Sequence, residues 1–371
     1  MTPATPDAGR TCDSEVRGTI RLLRTGTTDR PGRAEAGPTP RSDSAGQVRT
    51  HVEPAIRTLL DRLDPDNRLV AGYQLGYWNA DGSPTTCQGK GLRPALALLS
   101  AQATGADLEA GVPAAAAVEL AHNFSLLHDD VMDGDTERRH RPTAWAVFGT
   151  GPAILAGDAL VALAYEALAE VRGGGPAVRR FSRDMRALIC GQGADLAFQR
   201  RDNVTLDECL TMAGNKTAAL LSGSCVLGAL LCDGAPGLVD GLSRFGFHLG
   251  LAFQLVDDLL GIWGDTRRTG KPTGSDLRGR KRSLPVVCAL NAGGGASSAL
   301  MELYRSSAPL TDAEVARAAA LVEATGARAW AEREASRETD RAWAELAGLD
   351  LPEQVRQEFT DIATFVTGRD R

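Results

Sequence analysis

Histidine is scarce, with five in 371 residues, and none form a His-Glu-x-x-His pair, which excludes the helical zinc-hydrolase motif. Aromatic residues make up only 5% of the chain. Few stretches alternate polar and apolar side chains with the Val, Ile and aromatic enrichment that a sheet needs. The seven cysteines, at 12, 87, 190, 209, 225, 232 and 288, show no Cys-x-x-Cys spacing and sit mostly in apolar surroundings. An odd set of that kind fits buried thiols in a reducing cytoplasm better than a disulfide scaffold or a zinc site. The chain has no phosphate-binding Gly-x-x-x-x-Gly-Lys-Ser/Thr loop, no serine-nucleophile elbow and no Gly-x-Gly-x-x-Gly at a strand–helix turn. No basic-then-apolar leader pattern opens the sequence, and no run of about 18 apolar residues crosses a membrane, so a soluble, cytoplasmic protein is expected. Formal net charge is -6, which leaves no basic footprint for nucleic acid.

The hydrophobic fraction of 43% is enough for a large core. Residues 1–50 differ from the rest: Pro3, Pro6, Pro31, Pro38 and Pro40 lie among Gly, Ser, Thr, Arg and Asp, which predicts a disordered extension. Its one apolar patch is Thr19–Arg24, which is either incidental or a short motif for a partner. The folded body is expected over 51–371 as one domain. Ala and Leu dominate it, and both favour helix. Pro113, Pro152 and Pro285 suit first helical turns, while glycines at 149, 151 and 173–175 break the pattern. The expectation is an all-α helical bundle of ten or more helices, with 206–232 as one helix and 264–283 as a polar loop or lid.

Two apolar helical runs end in acids. Residues 122–143, HNFSLLHDDVMDGDTERRHRPT, bring Asp129, Asp130 and Asp133 together, with Asp129 and Asp133 four apart on one helix wall. Residues 253–265, FQLVDDLLGIWGD, repeat the device with Asp257 and Asp258. One such cluster alone reads as a solvated helix end. Two facing each other make an acidic, Mg2+-binding site for a polyphosphate, because Mg2+ takes carboxylate and phosphate oxygens together. Arg138, Arg139, Lys216, Lys271 and Lys281 stand in polar segments or interrupt apolar helices, as anion binding requires. Lys90 and Arg93, in QGKGLRP, sit where a glycine-flanked loop meets a helix N-terminus, a second diphosphate pocket. His122 lies near the same apolar face seven residues before Asp129, and His128 next to Asp129 reads as an orienting partner.

HDDVMD followed by RR, GDAL at 157–160, GQGADL at 191–196, KT at 216–217, FQLVDD at 253–258, GKPTGSD at 270–276 and Lys281 occur in this order. From about residue 55 onward the chain resembles the trans-isoprenyl diphosphate synthases of the polyprenyl synthetase family, most closely a bacterial geranylgeranyl diphosphate synthase. The resemblance implies the terpenoid synthase fold around a central cavity, a homodimer, and three Mg2+ ions per site. It implies that Asp129, Asp130, Asp133 and Asp257, supported by Asp258 and Asp195, hold those ions on an allylic diphosphate. Arg138, Lys216, Gln254, Lys271 and Lys281 complete that site, and Thr217 and Gln254 turn oxygen dipoles toward the allylic cation. Lys90, Arg93, His122 and Arg139 bind isopentenyl diphosphate.

Two positions depart from the family pattern. Gln88 replaces the first glycine of the basic motif, and Gly261 stands where the second acidic motif has its third Asp, with Asp265 four residues later. The second departure leaves room for a class I terpene cyclase on the same fold, though a cyclase has no need for Lys90, Arg93 and Arg139 together. A catalytically silent partner subunit is disfavoured by the same residues. Phe124 lies about 7.5 Å before Asp129 along a helix. By resemblance, this aromatic with the small Ser125 beside it implies the C20 product, with farnesyl diphosphate next; Leu160 and Leu163 are alternative floor residues. The extension at 1–50, with YQLGYWNADG before the basic motif, also resembles prenyltransferases carried as cargo in protein nanocompartments, which implies a shell as a further partner.

Overall fold

The computed structural model describes residues 44–85, 89, 91–264, 273–306 and 308–368. The extension before residue 44, Thr19–Arg24 within it, and Gln88, Lys90, Asp265 and Lys271 lie outside the described residues. The described chain is a helical bundle whose only strands are two short ones. Helix begins at Ser44, upstream of the boundary expected at residue 51, and runs through a π-helical turn at Val48–Val52 into Glu53–Leu60.

The helices that build the site are α1 (Leu92–Gln102), α2 (Val112–Asp133), α3 (Thr150–Ala169), α4 (Gly175–Phe198), α5 (Leu206–Ala213), α6 (Pro236–Trp263), α7 (Leu284–Asn291) and α8 (Ala327–Ala347). Prolines open α2, α4, α6 and α7 in their first turns, where a missing N–H leaves no bond unmade. A Thr205–Glu208 capping box starts α5. α2 ends at Gly134, which takes φ 70 and donates its N–H to Asp130 O. The first acidic cluster therefore occupies the last turn of a buried helix.

α2 packs along α3, and α6 along α8. The core runs between them through Leu120, Leu127, Leu160 and Phe181 on one side and Leu249, Phe245 and Phe359 on the other, all nearly fully buried. α3 and α6 are each apolar enough over 18 residues to span a membrane by length and composition. Two-thirds of that stretch of α6 is buried inside the bundle.

Two features depart from the expected helices. Residues 206–232 are interrupted by a π-helical turn at Gly214–Ala218, with short helices Ala219–Ser224 and Leu227–Leu231 beyond it. The cause is close packing from both sides. A Cβ on Gly191 of α4 would lie 2.4 Å from Lys216 N, and one on Gly250 of α6 would lie 2.5 Å from Ala218 Cα. The second departure is a hairpin of β1 (Glu137–Arg138) and β2 (Arg141–Pro142). Its two loop residues, Arg139 and His140, have φ 53 and 59, the left-handed pair that a two-residue hairpin turn requires. Neither is the Gly or Asn that would have signalled it.

Candidate active site

α2, α4, the π-helical turn, α6 and the start of α7 enclose a cavity of about 230 Å3. Its mouth is acidic on two sides. Asp129 and Asp133 project from α2, and Asp257 projects exposed from α6. Burial pushes the Asp129 carboxyl up to about 6; Lys216 and Arg138 oppose that shift, while Asp133 and Asp195 add to it. Asp133 gives one oxygen to Lys281 Nζ at 3.2 Å. Its other oxygen, Oδ1, is buried with no hydrogen-bond partner among the described residues.

Cations stand opposite these acids. Lys216 Nζ lies 2.5 Å from Asp195 Oδ2, so the lysine that interrupts an apolar stretch is held at the cavity wall. This is where the π-helical turn matters: clamped by Gly191 and Gly250, it turns Lys216 and Thr217 inward together. Lys281 is held above the ordinary lysine range; burial works against its charge, but Asp133 and Asp276 outweigh it. Arg138 also lines the cavity.

The hairpin separates the two adjacent arginines. Arg138, on β1, turns back to Asp130, whereas Arg139, in the turn, reaches Gly89, where an added Cβ would meet Nη1 at 2.9 Å. Arg93, in the first turn of α1, brings Nη1 to 3.4 Å from His122 Nε2. Burial, with Arg93, Arg139 and Arg138 nearby, depresses the His122 pKa well below its usual value and keeps the ring neutral. Arg93, His122 and Arg139 thus form a basic corner, of which Arg93 and His122 line the cavity.

Three expected site residues are placed differently. Asp130 is 1% exposed and does not line the cavity; its Oδ1 accepts from Arg138 Nε at 2.7 Å and Nη2 at 2.6 Å. Adjacent residues on a helix face about 100° apart, and here Asp130 turns to Arg138 while Asp129 joins the cavity wall. Asp258 lines the cavity but is also buried, and both oxygens are used: Oδ1 accepts from Gln254 Nε2 at 2.7 Å and Oδ2 from Leu284 N at 2.8 Å. Burial pushes this carboxyl up to about 8; Asp276 and Asp257 add to the shift, and the two N–H donors oppose it. Phe124 does not line the cavity either. Five residues place it about 140° around the helix from Asp129, whereas Ser125, four residues back, falls nearly beneath it. The Phe124 ring packs edge-on to His128, centroids 4.7 Å apart, behind the wall formed by Ser125 and Leu126.

The cavity also contains residues that the sequence reasoning did not assign. Gln192, 6% exposed, lines it with both amide atoms buried and without partners among the described residues. It lies three residues before Asp195, on the same helix face, in GQGADL. Asp276 also lines the cavity, and a Cβ on Gly261 would lie 2.3 Å from its Oδ2. The carboxylate absent from the second acidic motif thus has a counterpart from the following segment, filling the space that Gly261 leaves. Leu126, Leu188, Met212, Leu220 and Phe253 supply the apolar part of the wall, and Arg282 and Ser283 line it as well.

The donor set suits Mg2+. No three His, Cys, Asp or Glu side chains among the described residues converge as a preformed cage. Mg2+ does not need one, since it binds through one or two carboxylates, retained waters and the substrate's phosphates. The buried, unpartnered Asp133 Oδ1 is an oxygen such an ion would satisfy.

The family model for polyprenyl synthetases matches residues 83–322. The chain belongs to the polyprenyl synthetase family. This polyprenyl synthetase is 45% identical to a (2E,6E)-farnesyl diphosphate synthase of Mycobacterium tuberculosis over 324 residues, 86% of this chain and 90% of that one. It is equally 45% identical to a geranylgeranyl diphosphate synthase of the same organism over 318 residues, 84% of this chain and 88% of that one. Its fold matches a solved polyprenyl synthetase from Streptomyces coelicolor with a TM-score of 0.83 at 50% identity, covering 88% of this chain and 99% of that one. A geranylgeranyl pyrophosphate synthase from Corynebacterium glutamicum, solved with isoprenyl diphosphate and magnesium, matches with a TM-score of 0.72 at 27% identity, covering 88% and 97%. The chain is therefore a prenyl-transferring enzyme with the isoprenoid synthase fold. Farnesyl and geranylgeranyl relatives stand at the same identity, so the likeness does not select a product length.

Proposed function

We propose that the enzyme catalyses Mg2+-dependent, head-to-tail condensation of isopentenyl diphosphate with an allylic diphosphate, giving a trans-prenyl diphosphate of C20. The observation that carries the reading is that acids from two helices, Asp129 and Asp133 of α2 and Asp257 of α6, line one cavity together with the basic corner of Arg93 and His122. Mg2+ bound there supplies charge neutralisation for the departing diphosphate. Lys216, Lys281, Arg138 and Lys271 add fixed positive charge around that group. Arg93, His122, Arg139 and Lys90 hold the second diphosphate, with neutral His122 available to donate or accept a hydrogen bond. Leu188, Leu220 and Phe253 keep water from the allylic cation, and the Thr217 and Gln254 oxygens face it. The leaving diphosphate takes up the proton released when the new double bond forms.

The growing chain extends past Ser125 toward Leu188 and Leu220, with Phe124 and His128 as the layer behind. A homodimer is part of the proposal: Leu155 and Ile189 are 59% and 57% exposed, with Ile154 at 39%, on α3 and α4. Apolar side chains of that size, left in water on adjacent helices, support a second copy as their cover. The test is product identification with Mg2+, isopentenyl diphosphate and each short allylic diphosphate in turn. Cyclic hydrocarbon formed without consumption of isopentenyl diphosphate sinks the reading.

A further inference from the structure

Asp258 is the second acid of its pair, and its surroundings separate it from Asp257. Both line the cavity, but Asp257 is exposed there, whereas Asp258 is 6% exposed and accepts one N–H on each oxygen. These two bonds join different elements. Leu284 N opens α7, and Gln254 lies one turn back on α6. Because Gln254 gives its Nε2 to Asp258, its Oε1 must point the other way. There it accepts from Thr217 Oγ1 at 2.5 Å. Thr217 thereby spends its hydroxyl proton on Gln254, which leaves its lone pairs for the cavity that both residues line.

We propose that Asp258 is a positioning residue and not an ion ligand. It fixes the direction of a hydrogen-bond relay, Thr217 to Gln254 to Asp258, so that oxygens and not hydrogens face the reacting centre. The assignment rests on the reaction proposed above, in which positive charge develops beside those oxygens. A reversed relay would present donors to a cation. Reversal would need Asp258 to donate to Gln254 Oε1, whereas each of its oxygens already accepts an N–H, one from Gln254 itself and one from Leu284 at the start of α7.

Asp258→Asn permits the reversal. Its Oδ1 can keep Leu284 N, but its Nδ2 then faces Gln254, whose amide flips and offers Nε2 to Thr217. Adding Gln254→Glu rebuilds the relay with the charge moved one turn: Leu284 N to the Asn oxygen, the Asn amide to the Glu carboxylate, and Thr217 to its other oxygen. Asp258→Asn should lower kcat about 100-fold, the scale of losing one preorganised dipole at a developing charge. The double variant should recover most of that loss. The number of Mn2+ ions bound with inorganic pyrophosphate, read by electron paramagnetic resonance, should be native in both and reduced by one in Asp257→Asn.

Loss of an ion in Asp258→Asn overturns the proposal, as does a double variant no more active than the single one. If Asp258→Asn fails to fold, the double variant decides: folding and turnover uphold the relay, and their absence overturns it. A native enzyme that extends no allylic diphosphate sinks the proposed reaction instead. The ion count in Asp258→Asn then decides alone, an ion kept upholding the positioning role.

Discussion

Asp130→Asn should cost stability and spare ion binding, whereas Asp133→Asn should do the reverse. Asp130 is 1% exposed, and two guanidinium nitrogens of Arg138 lie 2.7 and 2.6 Å from its Oδ1. Removing one partner of a fully buried pair costs about 3–5 kcal/mol, because the other charge stays behind. The Arg138 side chain is 25% exposed, and Asp135 stands 3.9 Å from it, so some of that cost is relieved. Asn also keeps one acceptor oxygen, and the expected loss is about 2–3 kcal/mol. For a chain of this size that lowers the melting temperature by about 3–4 °C. Asp133 faces the cavity with one oxygen on Lys281 and the other without a partner among the described residues, so neutralising it relieves repulsion at the mouth. The assay pairs thermal unfolding by circular dichroism with Mn2+ titration in the presence of inorganic pyrophosphate. A melting point within about 1 °C of native, together with a lost ion in Asp130→Asn, would refute the assignment.

The pH dependence of ion binding follows from Asp129. Its folded pKa is raised to about 6 by burial, so the carboxylate that a hard cation needs is present above that value and disappears below it. Mn2+ affinity with pyrophosphate should be flat from pH 8 to about 6.5 and then fall about tenfold per unit; a flat profile down to pH 5 would contradict the burial argument. Product length is the other handle. Phe124→Ala opens a void behind Ser125 and should shift the product toward longer chains, while Ser125→Phe fills the wall and should shorten it, both read by chromatography of the dephosphorylated alcohols. An unchanged distribution in both would remove this wall from the ruler.

The helical fold was legible because its signals are local. Pro113 and Pro285 each open a helix, and Ala-Leu periodicity carries α2, α3 and α6. The two acidic clusters were legible too, since each ends a long apolar run. What was not legible depends on contacts between distant segments. The π-helical turn at 214–218 exists because Gly191 and Gly250 let two helices approach the backbone, and nothing within GNKTA announces it. How each acid of an adjacent pair is used depends on the neighbouring elements: Arg138 draws Asp130 out of the cavity lining, and Gln254 and Leu284 N occupy both oxygens of Asp258, which still lines it. The hairpin at 137–142 was missed because Arg139 and His140 adopt positive φ without glycine. Nothing in GKPTGSD marks Asp276 as a cavity residue, since its approach to Gly261 joins segments fifteen residues apart that no spacing rule covers.

The central claim is that the acids of the two helices and the basic corner together join two diphosphates. Its most direct test uses isopentenyl diphosphate labelled in its carbon skeleton, incubated with Mg2+ and separately with C5, C10 and C15 allylic diphosphates. Labelled, chain-extended diphosphates ending at C20 are expected from each starter, and none when Mg2+ is chelated. Unlabelled cyclic products, or no incorporation of label from any starter, would contradict it.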